Sequence, residues 1–150
     1  MRVRETASAH IDASPTVVFG FLTDLSRLPE WNQAITEVVA VPAQLSCGAV
    51  WKVRLHALGQ SWVSRSRVDK IDPDARRFSY RSQTDDGNPS YADWVWLVED
   101  DADGCNVVVS VVLEPMTFWR KHLFVKIRRP ALRREMAGSL DALGAALRDS

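Results

Sequence analysis

The chain has no apolar run approaching the roughly 18 residues that a membrane-crossing helix needs, so no such span is expected. Its start, Met1-Arg2-Val3-Arg4-Glu5, carries no apolar run either, and no signal peptide is read there. Only two cysteines occur, Cys47 and Cys105, without a C-x-x-C pair or a histidine at metal-ligand spacing. That pattern excludes a disulfide framework and gives no metal site, and it fits reduced thiols in a cytoplasmic protein. Excess charge of either sign is missing: 19 basic residues balance 19 acidic ones, where a nucleic-acid binder would be basic. Repeats and low-complexity linkers are lacking, and 150 residues suit a single domain spanning 1–150.

What the chain does have is tryptophan, six of them in 150 residues. Charge is also unevenly placed. Seven acidic residues and no lysine or arginine fall between Asp85 and Asp103. Seven basic residues (Arg120, Lys121, Lys126, Arg128, Arg129, Arg133 and Arg134) and one acid fall between Met116 and Glu135. Two solvated faces are the plain reading. A transient contact with an anionic surface is the sharper one.

Alternation from Val3 to Ile11 predicts a strand, with Glu5 anomalous on its apolar parity. Ser14-Pro15 then supplies a helix cap and a first-turn proline, and Val17, Val18, Phe21 and Leu22 follow at helical spacing to an end near Asp24. A second short helix is expected over Leu25–Trp31, limited by Pro29. Period-two patterning then predicts six strands: Ile35–Val41, Ala49–Ala57, Ser61–Ile71, Arg77–Gln83, Tyr91–Val98 and Asn106–Leu113. The breaks, Asp72-Pro73-Asp74, Asp86-Gly87 and Asp103-Gly104 among them, are short turns that suit an antiparallel meander. Leu132, Met136, Leu140, Leu143 and Leu147 form the apolar stripe of a final helix, which Pro130 either starts or kinks from an origin near Thr117. The expectation is an α+β fold: a seven-stranded antiparallel sheet curled around one long C-terminal helix, with two short helices after the first strand.

Parity sorts the strand residues by face. Trp51, Val53 and Leu55 oppose Lys52, Arg54 and His56; Trp62, Ser64 and Ser66 oppose Val63, Arg65 and Arg67. Phe78, Tyr80 and Ser82 oppose three residues that include two arginines, and Trp94 and Trp96 share a face with each other. Val109 joins them from the last strand, whose two faces are both apolar. Indoles interleaved with hydroxyls resemble a small-molecule pocket wall more than a plain core, where unpartnered buried hydroxyls cost about 1–3 kcal/mol each. Filled core is the alternative.

No Ser-His-Asp or Cys-His set assembles. His10 and His56 fall on polar faces, and His122, at helical spacing from Phe118, is the one histidine placed to look into a cavity mouth. The thiols sit beside turn glycines, with nothing to lower their pKa.

The ordered set Ile11-Asp12-Ala13-Ser14-Pro15-Thr16-Val17-Val18-Phe19, Leu22-Thr23-Asp24, Leu28-Pro29-Glu30-Trp31, Asp103-Gly104-Cys105 and the terminal amphipathic helix resembles the polyketide cyclase/dehydrase and lipid-transport family. That family belongs to the helix-grip superfamily, alongside START domains and the birch-pollen-allergen proteins. The resemblance covers essentially the whole chain. It implies a helix-grip fold and a cavity between sheet and long helix for an apolar, aromatic or lipid-like molecule, with no cofactor. The expected ligand-binding residues are Trp51, Val53, Leu55, Trp62, Ser64, Ser66, Tyr80, Trp94, Trp96, Val109, Phe118 and His122. The alternative is an aromatase/cyclase or dehydrase: Ser61-Trp62-Val63-Ser64 is similar to a strand in aromatic-polyketide cyclases, where an interior Trp, Ser and Arg hold the substrate. Here Ser66 stands where an arginine would follow, and Arg65 and Arg67 point inward only if a bulge reverses the strand's parity.

Overall fold

A computed structural model describes residues 2–57, 59–85, 89–114 and 125–148, with side chains described outside positions 57, 125–129 and 131. Seven strands are present: β1 Val3–Ile11, β2 Ile35–Ala40, β3 Val50–Ala57, β4 Gln60–Asp72, β5 Arg77–Thr84, β6 Tyr91–Asp101 and β7 Gly104–Glu114. They form one antiparallel sheet in the order β1-β7-β6-β5-β4-β3-β2. Every consecutive pair from β2 to β7 is a hairpin neighbour, and β1 closes onto β7, so β1 and β2 are the two edges.

Between those edge strands the chain crosses the concave face as two short helices. α1, Pro15–Leu22, starts where Ser14 Oγ accepts the Val17 N–H at 3.2 Å, and Pro15 occupies a first-turn position. It ends at Thr23, whose hydroxyl donates to the Phe19 carbonyl at 2.8 Å, one residue before the expected Asp24. A 3-10 helix over Leu25–Glu30 follows, burying Leu25 and Leu28.

The final helix, α2, runs Val125–Arg148 and buries Leu132, Met136, Leu140 and Leu143. Pro130 neither starts it nor marks its origin, lying a turn inside, where it removes one backbone hydrogen bond. An origin near Thr117 lies outside the described residues. The stripe packs chiefly over β1, with lesser contacts to α1 and the 3-10 helix, and Arg133 Nε donates to Glu5 Oε2 at 2.8 Å. This accounts for the acid on the inward parity of β1: Glu5 is 8% exposed and holds a cation of the covering helix.

Four strands outrun their expected bounds, β4 by one residue at each end, β5 by one residue, and β6 and β7 by more. β6 and β7 continue to Asp101 and Gly104, joined through Ala102 and Asp103. Glu99, Asp100 and Asp101 carry no apolar alternation, so the pattern stops before the ladder does. A bulge interrupts β4 against β5 between Val68 and Lys70. It lies beyond Ser64 and Ser66, so Arg65 and Arg67 stay on the exposed convex face.

A cavity walled by aromatic side chains

Small residues on the middle strand make room for large ones on its neighbours. Ser66 of β4 stands between Trp51 of β3 and Ser82 of β5 in the ladder. Because Ser64 and Ser66 fill little space on the concave face, Trp51 reaches across β4 to β5. Its ring lies 4.8 Å from Tyr80, edge-on, and 5.8 Å from Phe78, stacked. Tyr80 in turn stacks on Trp94 of β6 at 6.3 Å. From the helical side Trp31 meets Trp96 edge-on at 5.3 Å, with planes 87° apart.

The indole N–H groups use the hydroxyls. Trp94 Nε1 donates to Ser82 Oγ and Trp96 Nε1 to Tyr80 Oη, each at 3.1 Å. Burial pushes the Tyr80 phenol up to about 12, against a small opposing effect of the Trp96 hydrogen bond, so it remains a neutral phenol at physiological pH. Ser64 Oγ donates to the Gln83 carbonyl at 3.3 Å, and Ser139 Oγ of α2 accepts the Gln33 N–H at 3.2 Å.

These groups surround a cavity of about 90 Å³. Its sheet wall includes Trp51, Val53, Leu55, Ser64, Ser66, Tyr80, Trp94 and Trp96, with Phe78 and Ser82 beside them. The opposite wall is Leu22, Leu25, Leu28, Trp31, Asn32 and Ala34 from the short helices and their exit, with Ile35 of β2. Glu135, Met136 and Ser139 come from α2. Among the described lining residues the ionisable groups are Tyr80 and Glu135.

Two of the residues expected at this site stand elsewhere. Trp62 pairs with Leu55 near the β3–β4 turn, beyond the point where β5 joins at Ser64 and Thr84, and does not line the cavity. Parity assigns its face but not its height along the strand. Val109 is fully buried between Ala7 of β1 and Trp96 of β6, in solid core. Phe118 and His122 lie outside the described residues. So do Arg120 and Lys121, and the side chains of Lys126, Arg128 and Arg129 are not described; Arg133 is engaged by Glu5.

The helical wall goes beyond what the sequence pattern reaches. Trp31, in Leu28-Pro29-Glu30-Trp31, and Met136, on the terminal stripe, are visible there as motif and core residues, but no periodicity connects a helix residue to a strand across a cavity. His10 and His56 are exposed as expected, His10 between Asp12 and Asp101 at 3.0 and 3.1 Å, and His56 beside Ser61 at 3.0 Å. Cys47 is exposed and Cys105 fully buried, its thiol pushed up by burial.

A curled seven-stranded sheet gripping a C-terminal helix, with short helices after the first strand, defines a helix-grip protein. The family model described as "Polyketide cyclase / dehydrase and lipid transport" matches residues 2–148, and the chain belongs to that family. No curated protein matches the sequence significantly. Among solved structures it is similar to the Zhui aromatase/cyclase from Streptomyces sp. R1128, with a TM-score of 0.83 at 15% identity over 97% of this chain and 93% of that one. It is also similar to Ara h 8.0201, with a TM-score of 0.77 at 16% identity over the whole of both chains. A third likeness is to the protein TTHA0849 from Thermus thermophilus, with a TM-score of 0.73 at 19% identity over 97% and 95% of the two chains. At these identities the likenesses establish the fold.

Proposed function

We propose that this protein binds a small hydrophobic molecule, aromatic or lipid-like, in the cavity between the sheet, the short helices and α2. The observation that carries this reading is the wall itself: indoles of Trp31, Trp51, Trp94 and Trp96 around a space that also meets hydroxyls of Ser66, Tyr80 and Ser82. Apolar walls with a few fixed polar groups are the usual construction of a small-molecule site. Membership of a family named for polyketide and lipid chemistry supports the same reading. The space is smaller than the engineered cavity of about 150 Å³ that takes benzene. Even a single-ring guest therefore requires the wall to yield.

An aromatase/cyclase reading draws on the fold shared with the Zhui enzyme and on Ser64 in the wall. It lacks an interior cation among the described residues, because Arg65 and Arg67 are exposed on the other face. Without an interior cation or an acid/base pair among the described lining residues, the wall favours binding over catalysis.

Native mass spectrometry of gently purified protein tests the binding reading. The expected result is a small-molecule adduct that disappears in Met136→Trp, whose added ring occupies the cavity while near-ultraviolet circular dichroism stays native-like. An adduct retained at full occupancy in that variant, or no uptake of any hydrophobic probe by the parent protein, contradicts it.

A further inference from the structure

We infer that the convex face of β3–β5, on the side of the sheet away from the cavity, binds the phosphate group of a small soluble phosphate ester through Arg65 and Arg67. This second site is independent of the cavity reading above.

An open groove of about 540 Å³ lies on that face, with Arg65, Arg67, Arg81, Asp69, Val50 and Gln83 among its lining residues. Strand register sets Arg65 directly opposite Lys52 of β3 and Arg67 directly opposite Arg81 of β5. Like charges facing each other across a ladder work against pairing. The other cations around the groove are each matched by an acid. Lys52 holds Asp85 at 2.9 Å, Arg54 holds Glu37 at 3.3 Å, and Arg81 holds both oxygens of Asp93 at 2.8 and 3.1 Å while lying over the Tyr91 ring. Arg65 and Arg67 are exposed, share one face, and form no ion pair or hydrogen bond among the described residues. The sheet therefore keeps two uncompensated guanidiniums where a neutral residue would serve pairing better. Asp69 is the one acid among the described lining residues, against three arginines.

Donor geometry selects the anion. A carboxylate has two oxygens and is satisfied by a single guanidinium fork, as Asp93 is by Arg81. Two unspent forks call for more acceptors, and a phosphate ester supplies three oxygens and up to two negative charges. Two residues apart on a strand, Arg65 and Arg67 have Cα atoms about 6.6 Å apart, close enough for long side chains to converge on one such group. A flat anionic bilayer laid on this face meets the carboxylates of Glu37, Asp69, Asp85 and Asp93, whereas a small ester enters between them. The chain's balanced charge adds no long-range attraction to a membrane.

The test is a titration of the full chain with glycerol phosphate at constant ionic strength, following arginine Nε–H signals of nitrogen-15-labelled protein. Saturable shifts at Arg65 and Arg67 are expected, with lactate, a small carboxylate, binding more weakly. Arg65→Gln and Arg67→Gln are each expected to weaken glycerol phosphate binding by about two- to fivefold. Their thermal midpoints should equal or exceed the parent's, because each removes a like-charge opposition. Lactate binding as tightly, shifts no larger than sodium chloride produces, or unchanged affinity in both variants overturns the inference. Association with phosphatidylserine vesicles without binding of glycerol phosphate overturns it too, since the face is then a membrane contact. Uptake of hydrophobic probes by the cavity is the same in every one of these outcomes.

Discussion

Two indoles in the wall differ in how firmly their N–H groups are held. Trp96 is 3% exposed and donates to Tyr80, whereas Trp94 is only half-buried and donates to Ser82. Removing the acceptor for a buried donor costs its desolvation, while a half-exposed donor turns to water. Tyr80→Phe is therefore expected to destabilise by about 1–3 kcal/mol and Ser82→Ala by well under about 1 kcal/mol, compared by urea denaturation. Equal costs would show that the Trp96 bond carries no special weight. At the surface, the hydrogen bond that His10 donates to the Asp12 carboxylate raises the His10 pKa above 6.5, with partial desolvation opposing it and Asp101 adding a further raise. A raised folded-state value means that protonated His10 favours the fold. That contribution is complete below the ordinary value and is lost as pH rises through the folded-state one. NMR titration should place His10 above an unperturbed histidine and should move it down in Asp12→Asn; a value at or below 6.5 contradicts the assignment.

Among the elements, the β6–β7 turn is the least tolerant. Gly104 has φ of +150°, and a Cβ there would run into the Ile11 carbonyl and the backbone at Asp12 and Ala13, where β1 leaves the sheet. Backbone cannot yield as a flexible side chain can, so Gly104→Ala should cost about 3 kcal/mol in thermal or denaturant unfolding; a change under about 0.5 kcal/mol would contradict the close approach. Element identity is visible in the chain because its strands alternate cleanly: Trp51-Lys52-Val53-Arg54 assigns both faces from four residues. Strand ends are less visible, since the ladder at Glu99–Asp101 runs on through exposed acids with no apolar partner. The cavity is half visible. Parity brings Trp51, Ser64, Ser66, Tyr80, Trp94 and Trp96 to one wall, but it measures no height, which is why it misplaces Trp62 and Val109. Trp31, Met136 and Ser139 belong to helices, or to the exit from one, whose docking depends on long-range packing, so local pattern does not connect them to the sheet.

For the whole molecule, the sheet, the short helices and α2 enclose a space set by small serines beneath large rings. Charge is balanced at 19 against 19, and described cations lie outside the cavity wall, where Glu135 is the one carboxylate among the described lining residues, so recognition within it depends chiefly on shape and hydrogen bonds. A guest bound only by the folded state also stabilises it, in proportion to the logarithm of its concentration over Kd. The six tryptophans supply internal reporters, because Trp31, Trp51, Trp94 and Trp96 line the cavity and Trp62 does not. The most direct measurement is a titration of nitrogen-15-labelled protein with acetophenone, following each assigned indole Nε1–H signal. Shifts concentrated at Trp31, Trp51, Trp94 and Trp96, with Trp62 unmoved, are the predicted result; an unchanged spectrum, or shifts confined to Trp62, would contradict a ligand cavity at this place.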